Sequence, residues 1–345
     1  MILAKLIDLV EHGKIPDPLT RTGIKGFCLQ RLLEERTPSI AAQKRKLWEF
    51  SRKMRQEPVA VHTDKANEQH YELPPEFFVE VLGPHLKYSC CHFPPGIDTL
   101  EAAEASMLGL TCERAELQDG QKILELGCGW GSLTLWMAQR YPNSAVTAVS
   151  NSAPQREFIE TRAQERGLSN LTVITQDMND FQTEPGFDRV VSVEMFEHMR
   201  NWGELLGRVA AWLKEDGKFF FHIFTHRTHA YTFETEGEDN WMGKYFFTGG
   251  IMPAHELPYL FQDHLLLEEA WAMPGTHYHH TADAWLANMD AKREQLIPVL
   301  AKTYGPEEAE VWFHRWRMFF LATSGVWGFR GGNEWLVSHY RFSRR

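Results

Sequence analysis

The chain has 345 residues, 43% of them hydrophobic and 24% charged, which suits one large or two modest folded domains. A formal net charge of -10 excludes any general affinity for nucleic acid and gives no broad attraction to an anionic membrane. Five cysteines (28, 90, 91, 112 and 128) form no C-x-x-C pair, so neither a disulfide framework nor a structural zinc is expected, and a reducing cytoplasm is the expected setting.

Met1–Val10 is apolar but carries Lys5 and Asp8, too short and too charged for a signal peptide or a membrane span. Residues 1–60 form a helical segment: Ile2, Leu3, Leu6, Leu9 and Val10 repeat at helical spacing, as do Leu29, Leu32 and Leu33. Gln43–Met54 is a basic amphipathic stretch, read as a solvated helix packing on the main domain in preference to a membrane-surface helix. The run Ala66-Asn-Glu-Gln-His-Tyr-Glu-Leu-Pro-Pro75 is too polar for a core and too aromatic for a linker, which makes Glu68 and Tyr71 candidate acceptor contacts. Asp98-Thr-Leu-Glu101 reads as a capping box opening a helix through about Leu117.

From Ile123 the chain alternates. A strand ends at Gly127-Cys-Gly129-Trp-Gly131, a helix runs from Leu133 to Tyr141, and Val146–Val149 is a second strand. Ala153–Arg166 is a helix, Leu171–Thr175 and Phe187–Val193 are strands, and Leu205–Leu213 is a helix. Asp216-Gly217 turns into a fifth strand, Lys218–Phe224. Leu265–Ala272 and Trp335–Phe342 supply the last two, with helices Ala282–Lys302 and Glu307–Phe320 between them. The rhythm predicts an α/β, mostly parallel, seven-stranded Rossmann-like sheet. Residues 61–345 form that domain, with substrate-cap insertions near 225–264 and 280–330. Late aromatics, Trp327 and Phe329 among them, are mostly core, and a fraction of them can wall a cationic ligand.

Ligands of such a sheet sit at the carboxyl ends of its strands. The first glycine turn lies there, but its spacing is G-x-G-x-G, not the G-x-G-x-x-G of a dinucleotide site, and the second strand ends in Ser150-Asn151 rather than an acid. The fourth strand ends in Glu194-Met-Phe-Glu197-His198, two carboxylates and an imidazole within five residues. One acid can hold an ammonium by charge while another acid or His198 accepts its proton. Glu194, Glu197, His198, His222, His226 and His229 match no known metal-hydrolase spacing, so no metal is expected.

Glu125-x-Gly127-x-Gly129-x-Gly131 resembles motif I of class I S-adenosylmethionine methyltransferases. Together with Ala66–Glu72, Lys87-Tyr-Ser-Cys-Cys91, Asn151-Ser152, Glu194–Met199, Trp316-Arg317 and Glu334-Trp335, it makes the chain similar to the cyclopropane fatty acid synthase-like methyltransferases, and within them to the coclaurine-type N-methyltransferases. The resemblance covers roughly four-fifths of the chain. It implies S-adenosylmethionine as cofactor, held by Tyr88, Ser89, Gly127, Gly129, Ser150, Asn151, Gln155, Asp177 and Met178, with Asn151 and Gln155 on the ribose and Asp177 on the adenine. It implies Glu194, Glu197 and His198 as catalytic residues that hold and deprotonate a small, cyclic aromatic, benzylisoquinoline-like amine. No nucleic acid or membrane partner is implied, and monomer or homodimer stays open.

The same resemblance carries an alternative, cyclopropane synthase-like C-methylation of unsaturated phospholipid chains. There Cys90, Glu197, His222 and Tyr278 would hold a bicarbonate. Against it, Glu194 stands where the synthases usually carry Gly.

Overall fold

The computed structural model describes residues 2–61, 73–237 and 240–345; Glu68 and Tyr71 lie outside them. Three helices come first: α1 (Ile2–Glu11), α2 (Asp17–Glu34) and α3 (Ile40–Met54). Then follow α4 (Pro75–Val81) and α5 (Leu100–Arg114). The alternating region comprises β1 (Lys122–Leu126), α6 (Ser132–Arg140), β2 (Ala145–Ser150), α7 (Ala153–Glu165), β3 (Leu171–Thr175), β4 (Phe187–Val193), a 3-10 turn (Phe196–His198), α8 (Trp202–Trp212) and β5 (Leu213–His226). After it come β6 (Tyr231–Thr232), α9 (Trp241–Tyr245), β7 (Ile251–Met252), β8 (Leu265–Pro274), α10 (Thr276–Ala291), α11 (Arg293–Tyr304), α12 (Ala309–Trp327) and β9 (Trp335–Arg344).

The main sheet has seven strands in the order β3-β2-β1-β4-β5-β9-β8. β1 to β5 pair in parallel, and β9 is antiparallel to both β5 and β8. Ile123, Leu124 and Leu126 of β1 and Val190 and Val191 of β4 are fully buried, as expected of central parallel strands covered on both faces. The order reverses between β1 and β4, which opens a crevice at their carboxyl ends. Side-chain caps start the flanking helices: Ser152 Oγ accepts from Gln155 N, and Asn201 Oδ1 from Glu204 N. Each such cap stabilises its helix by about 1 kcal/mol.

Several boundaries differ from the sequence-based expectation. Thr99, not Asp98, caps α5, because its hydroxyl accepts from Ala102 N; Glu101 then falls one residue short of the position that would close a capping box. The helix ends at Arg114, before Glu116 at positive φ. Asp216-Gly217 does not separate two elements. Phe187 pairs with Leu213 and Arg189 with Lys218, so residues 214–217 bulge within β5. The expected helix Ala282–Lys302 is two, α10 and α11, meeting at Lys292 (φ -113, ψ 23). The bend lets Leu286 and Met289 of one, and Leu296 and Leu300 of the other, all bury.

The N-terminal helices are part of the packed body. Leu47 and Met54 of α3 join the core beside α8, and Arg55 donates to Leu260 O. Ile24 and Cys28 of α2 share an apolar cluster with Trp285, Trp316 and Phe320 of the cap helices. Among the described residues, no helix is long and apolar enough to cross a membrane.

Candidate active site

The turn after β1 builds the first half of the site. Gly127 has φ 77, and a Cβ there would lie 2.8 Å from the Met195 side chain, so both conformation and space demand glycine. Gly129 has φ 52 with open space in front of it, where a ligand can meet bare backbone. A cavity of about 140 Å³ lies against this turn. Tyr88, Ser89, Gly127, Gly129, Ser150, Asn151, Gln155 and Met178 line it, as does the buried Lys87.

The polar atoms in this wall are underused. Ser150 Oγ donates to Gln155 Oε1 at 2.6 Å, yet Gln155 Nε2 has no hydrogen-bond partner among the described residues. Nor have Thr111 Oγ1, Trp130 Nε1 and Ser132 Oγ, all in the same wall and all buried. Buried donors of this kind each cost about 1–3 kcal/mol unless a ligand or water meets them. Glu125, buried on the cavity floor, accepts from Thr134 Oγ1 at 2.5 Å, and burial pushes its carboxyl up to about 8. Asp177 departs from expectation: it does not line the cavity, and its Oδ1 accepts from Asn179 N at 2.7 Å in the turn after β3. Its neighbours Gln176 and Met178 line the wall instead.

A second, larger cavity of about 580 Å³ abuts the first and is mostly apolar. Phe224, Phe247, Phe319, Trp327 and Trp335 form one wall, and Leu3, Leu6, Ile7 and Val10 of α1 with Ile24 and Phe27 of α2 form another. Tyr88, Glu194 and His198 line both cavities. The two spaces therefore meet at one acid, one imidazole and one phenol.

Glu194 is held with unusual care. It follows β4 at φ 48, a conformation that costs a non-glycine residue about 1–3 kcal/mol. Its Oε1 accepts from Cys90 N at 2.8 Å and lies 3.1 Å from His222 Nε2; its Oε2 accepts from the Tyr278 hydroxyl at 2.8 Å. Burial raises its carboxyl, opposed by Lys87, the Cys90 N–H and Tyr278. His198 packs its ring 4.5 Å from that of Phe247.

Other expected contacts are placed differently. Glu197 lines neither cavity: the 3-10 turn directs it inward, fully buried, with Oε1 accepting from Phe224 N at 2.7 Å. Burial, reinforced by Glu194, raises its carboxyl well above the usual range. Cys90 reaches the site through its backbone N–H alone, its thiol turning to Cys91 O at 3.2 Å. His222 stands behind Glu194 and lines neither of the two cavities. Phe329 packs on Trp335 outside both cavities, whereas Tyr278 and Trp327 do face the larger one.

Residues 60–324 match the model of the mycolic acid cyclopropane synthetase family. The chain belongs to that family. As a member of it, the synthetase-family chain is 36% identical to (S)-coclaurine N-methyltransferase of Thalictrum flavum subsp. glaucum, over 100% of its own length and 96% of the relative's. It is 33% identical to pavine N-methyltransferase of the same plant, over 99% and 97% of the two chains. A crystal structure of coclaurine N-methyltransferase bound to N-methylheliamine and S-adenosylhomocysteine superposes with a TM-score of 0.96 at 34% identity, covering 100% of both chains.

The synthetase-family chain is thus an S-adenosylmethionine-dependent methyltransferase with the class I fold. The smaller cavity fits that cofactor: a bare glycine turn for the amino-acid end, Asn151 beside Gln155, whose Nε2 has no partner among the described residues, for hydroxyls, and apolar Met178 for a ring. Sequence reasoning missed Lys87, Gln176 and the α1–α2 wall of this family member. Lys87 stood within a recognised motif; the helices gave no local sign of what they cover.

Proposed function

We propose that the chain N-methylates a small, cyclic aromatic amine of benzylisoquinoline-like shape. The observation that carries this reading is the seating of Glu194. Its carboxylate takes up the Cys90 N–H, His222 and Tyr278, three of the four residues that in the alternative reading would hold a bicarbonate, Glu197 being the fourth. A fixed acid at the junction of the two cavities suits an ammonium and does nothing for a neutral alkene. The coclaurine and pavine relatives, which match along nearly the whole chain, support the same class.

When bound, the cofactor supplies an electrophilic methyl group on a sulfonium. The chain's residues prepare the acceptor. The aromatic wall of Phe224, Phe247 and Trp327 takes the ring system, and Glu194 draws the nitrogen to the junction. A primary or secondary amine must give up a proton so that its lone pair is free; His198, in the same junction, accepts it. Glu197 stands behind them, its carboxyl raised by burial. A tertiary amine gives up no proton, and Glu194 then only balances the cation formed. The five cysteines are all unpaired and buried, which agrees with a cytoplasmic setting.

The test is release of S-adenosylhomocysteine with a panel of primary, secondary and tertiary cyclic amines and one unsaturated phospholipid. Turnover is expected with an amine. His198→Ala is expected to lower kcat for a secondary amine by about 10²-fold or more while leaving cofactor affinity unchanged. Turnover on the phospholipid alone, with methylene gain on its acyl chains, would overturn the reading.

A further inference from the structure

His222 lies on β5 directly opposite His339 on β9, and both are fully buried. Their facing nitrogens, His222 Nδ1 and His339 Nε2, are 3.1 Å apart. At the outer end, Arg114 Nη1, at the carboxyl terminus of α5, lies 2.8 Å from His339 Nδ1. At the inner end, His222 Nε2 lies 3.1 Å from Glu194 Oε1. Four residues, from α5, β9, β5 and the turn after β4, thus form one line of hydrogen bonds ending on the acid at the cavity junction.

The direction of that line follows from chemistry alone. A guanidinium has donors and no lone pair, so His339 Nδ1 must accept. In a neutral ring the proton then sits on Nε2, which donates to His222 Nδ1. His222 in turn carries its proton on Nε2 and donates to Glu194. Burial, followed by Lys87 and Arg114 at His222 and by His222 and Arg114 at His339, holds both rings well below the usual histidine range, which favours their neutral forms. We propose that Arg114, acting through His339 and His222, is a positioning residue that locks both imidazole tautomers and thereby fixes the Glu194 carboxylate for the amine. The inference rests on the proposed amine reaction only for its catalytic consequence; the tautomers are a property of the protein itself. Without Arg114, His339 could reverse, and His222 would then present a lone pair to the Glu194 oxygen.

The experiment uses full-length protein with ¹⁵N-labelled histidine and long-range ¹H–¹⁵N correlation spectra. In the wild type, His222 and His339 are expected to carry the proton on Nε2. Arg114→Met removes the donor and is expected to give mixed tautomers at both rings; Arg114→Lys, which keeps a donor, restores the wild-type pattern. With an amine that the wild type methylates, Arg114→Met is expected to lower kcat about three- to tenfold, with cofactor affinity unchanged and recovery in Arg114→Lys. His222→Gln keeps an amide donor toward Glu194 whatever His339 does, so adding Arg114→Met to it is expected to cost much less. A proton on His222 Nδ1 in the wild type, unaltered tautomers in Arg114→Met, or equal kcat losses in the two backgrounds would each overturn the proposal. The tautomer measurement needs no amine, so it decides the relay even if the amine panel fails; that panel alone decides the acceptor class.

Discussion

Glu194 combines two costs, a left-handed backbone and a buried carboxylate, and the fold bears both at the point where its two cavities join. Glu194→Gly removes the backbone strain and opens a hole the size of a small carboxylate, with the Cys90 N–H, His222 Nε2 and the Tyr278 hydroxyl still aimed into it. Amine turnover is expected to fall by about 10²-fold or more, and millimolar formate or bicarbonate to restore part of it; no rescue by either anion, at undiminished cofactor affinity, would contradict this account of the donors. The sequence already marked Glu194 and His198, because ligand sites in such sheets gather at strand ends. It could not separate Glu197 from them. Beyond Val193 the strand's alternation no longer applies, and only the 3-10 turn decides that Glu197 points beneath β5 while His198 faces the cavities. His222 was legible as a site residue but not as support for Glu194, since that depends on its cross-strand partner 117 positions away.

At the scale of elements, the alternation of strands and helices made the sheet readable, because the central parallel strands β1, β4 and β5 each carry a buried apolar run. The first helices were readable only as helices. Their apolar stripes showed that they cover something; what they cover is set by α12 and the cap, distant in sequence. α2 approaches α12 at Gly325, where an added Cβ would lie 2.6 Å from Ile24 Cγ2. Ile24 also lines the larger cavity and not the smaller. Gly325→Ala is therefore expected to push α2 outward and destabilise the protein by about 1–3 kcal/mol. Calorimetry is expected to find cofactor binding intact, while the amine KM rises severalfold. An unchanged amine KM, with melting temperature lowered as expected, would show that α2 plays no part in holding the acceptor.

Across the whole molecule, four buried acids, Glu104, Glu125, Glu194 and Glu197, are all raised, burial being the largest cause each time. The net charge of -10 gives no hint of this, since most acids are on the surface. Glu125 offers the cleanest consequence, because its one side-chain hydrogen bond among the described residues, from Thr134, is one that glutamine can keep. In the folded chain its carboxyl holds a proton up to about pH 8, whereas in the unfolded chain the proton leaves near 4.5, the ordinary value of a glutamate. Between these values the folded state binds the extra proton, so stability falls as pH rises through the window. Glutamine has no proton to lose. From pH 5.5 to 8.5 the unfolding free energy of Glu125→Gln, measured by urea titration, is expected to rise relative to the wild type by on the order of 3 kcal/mol. Any fixed penalty for the extra amide hydrogens is the same at both pH values and cancels. A difference independent of pH would mean that Glu125 is ionised in the folded protein, and that the cavity floor is negatively charged before any cofactor arrives.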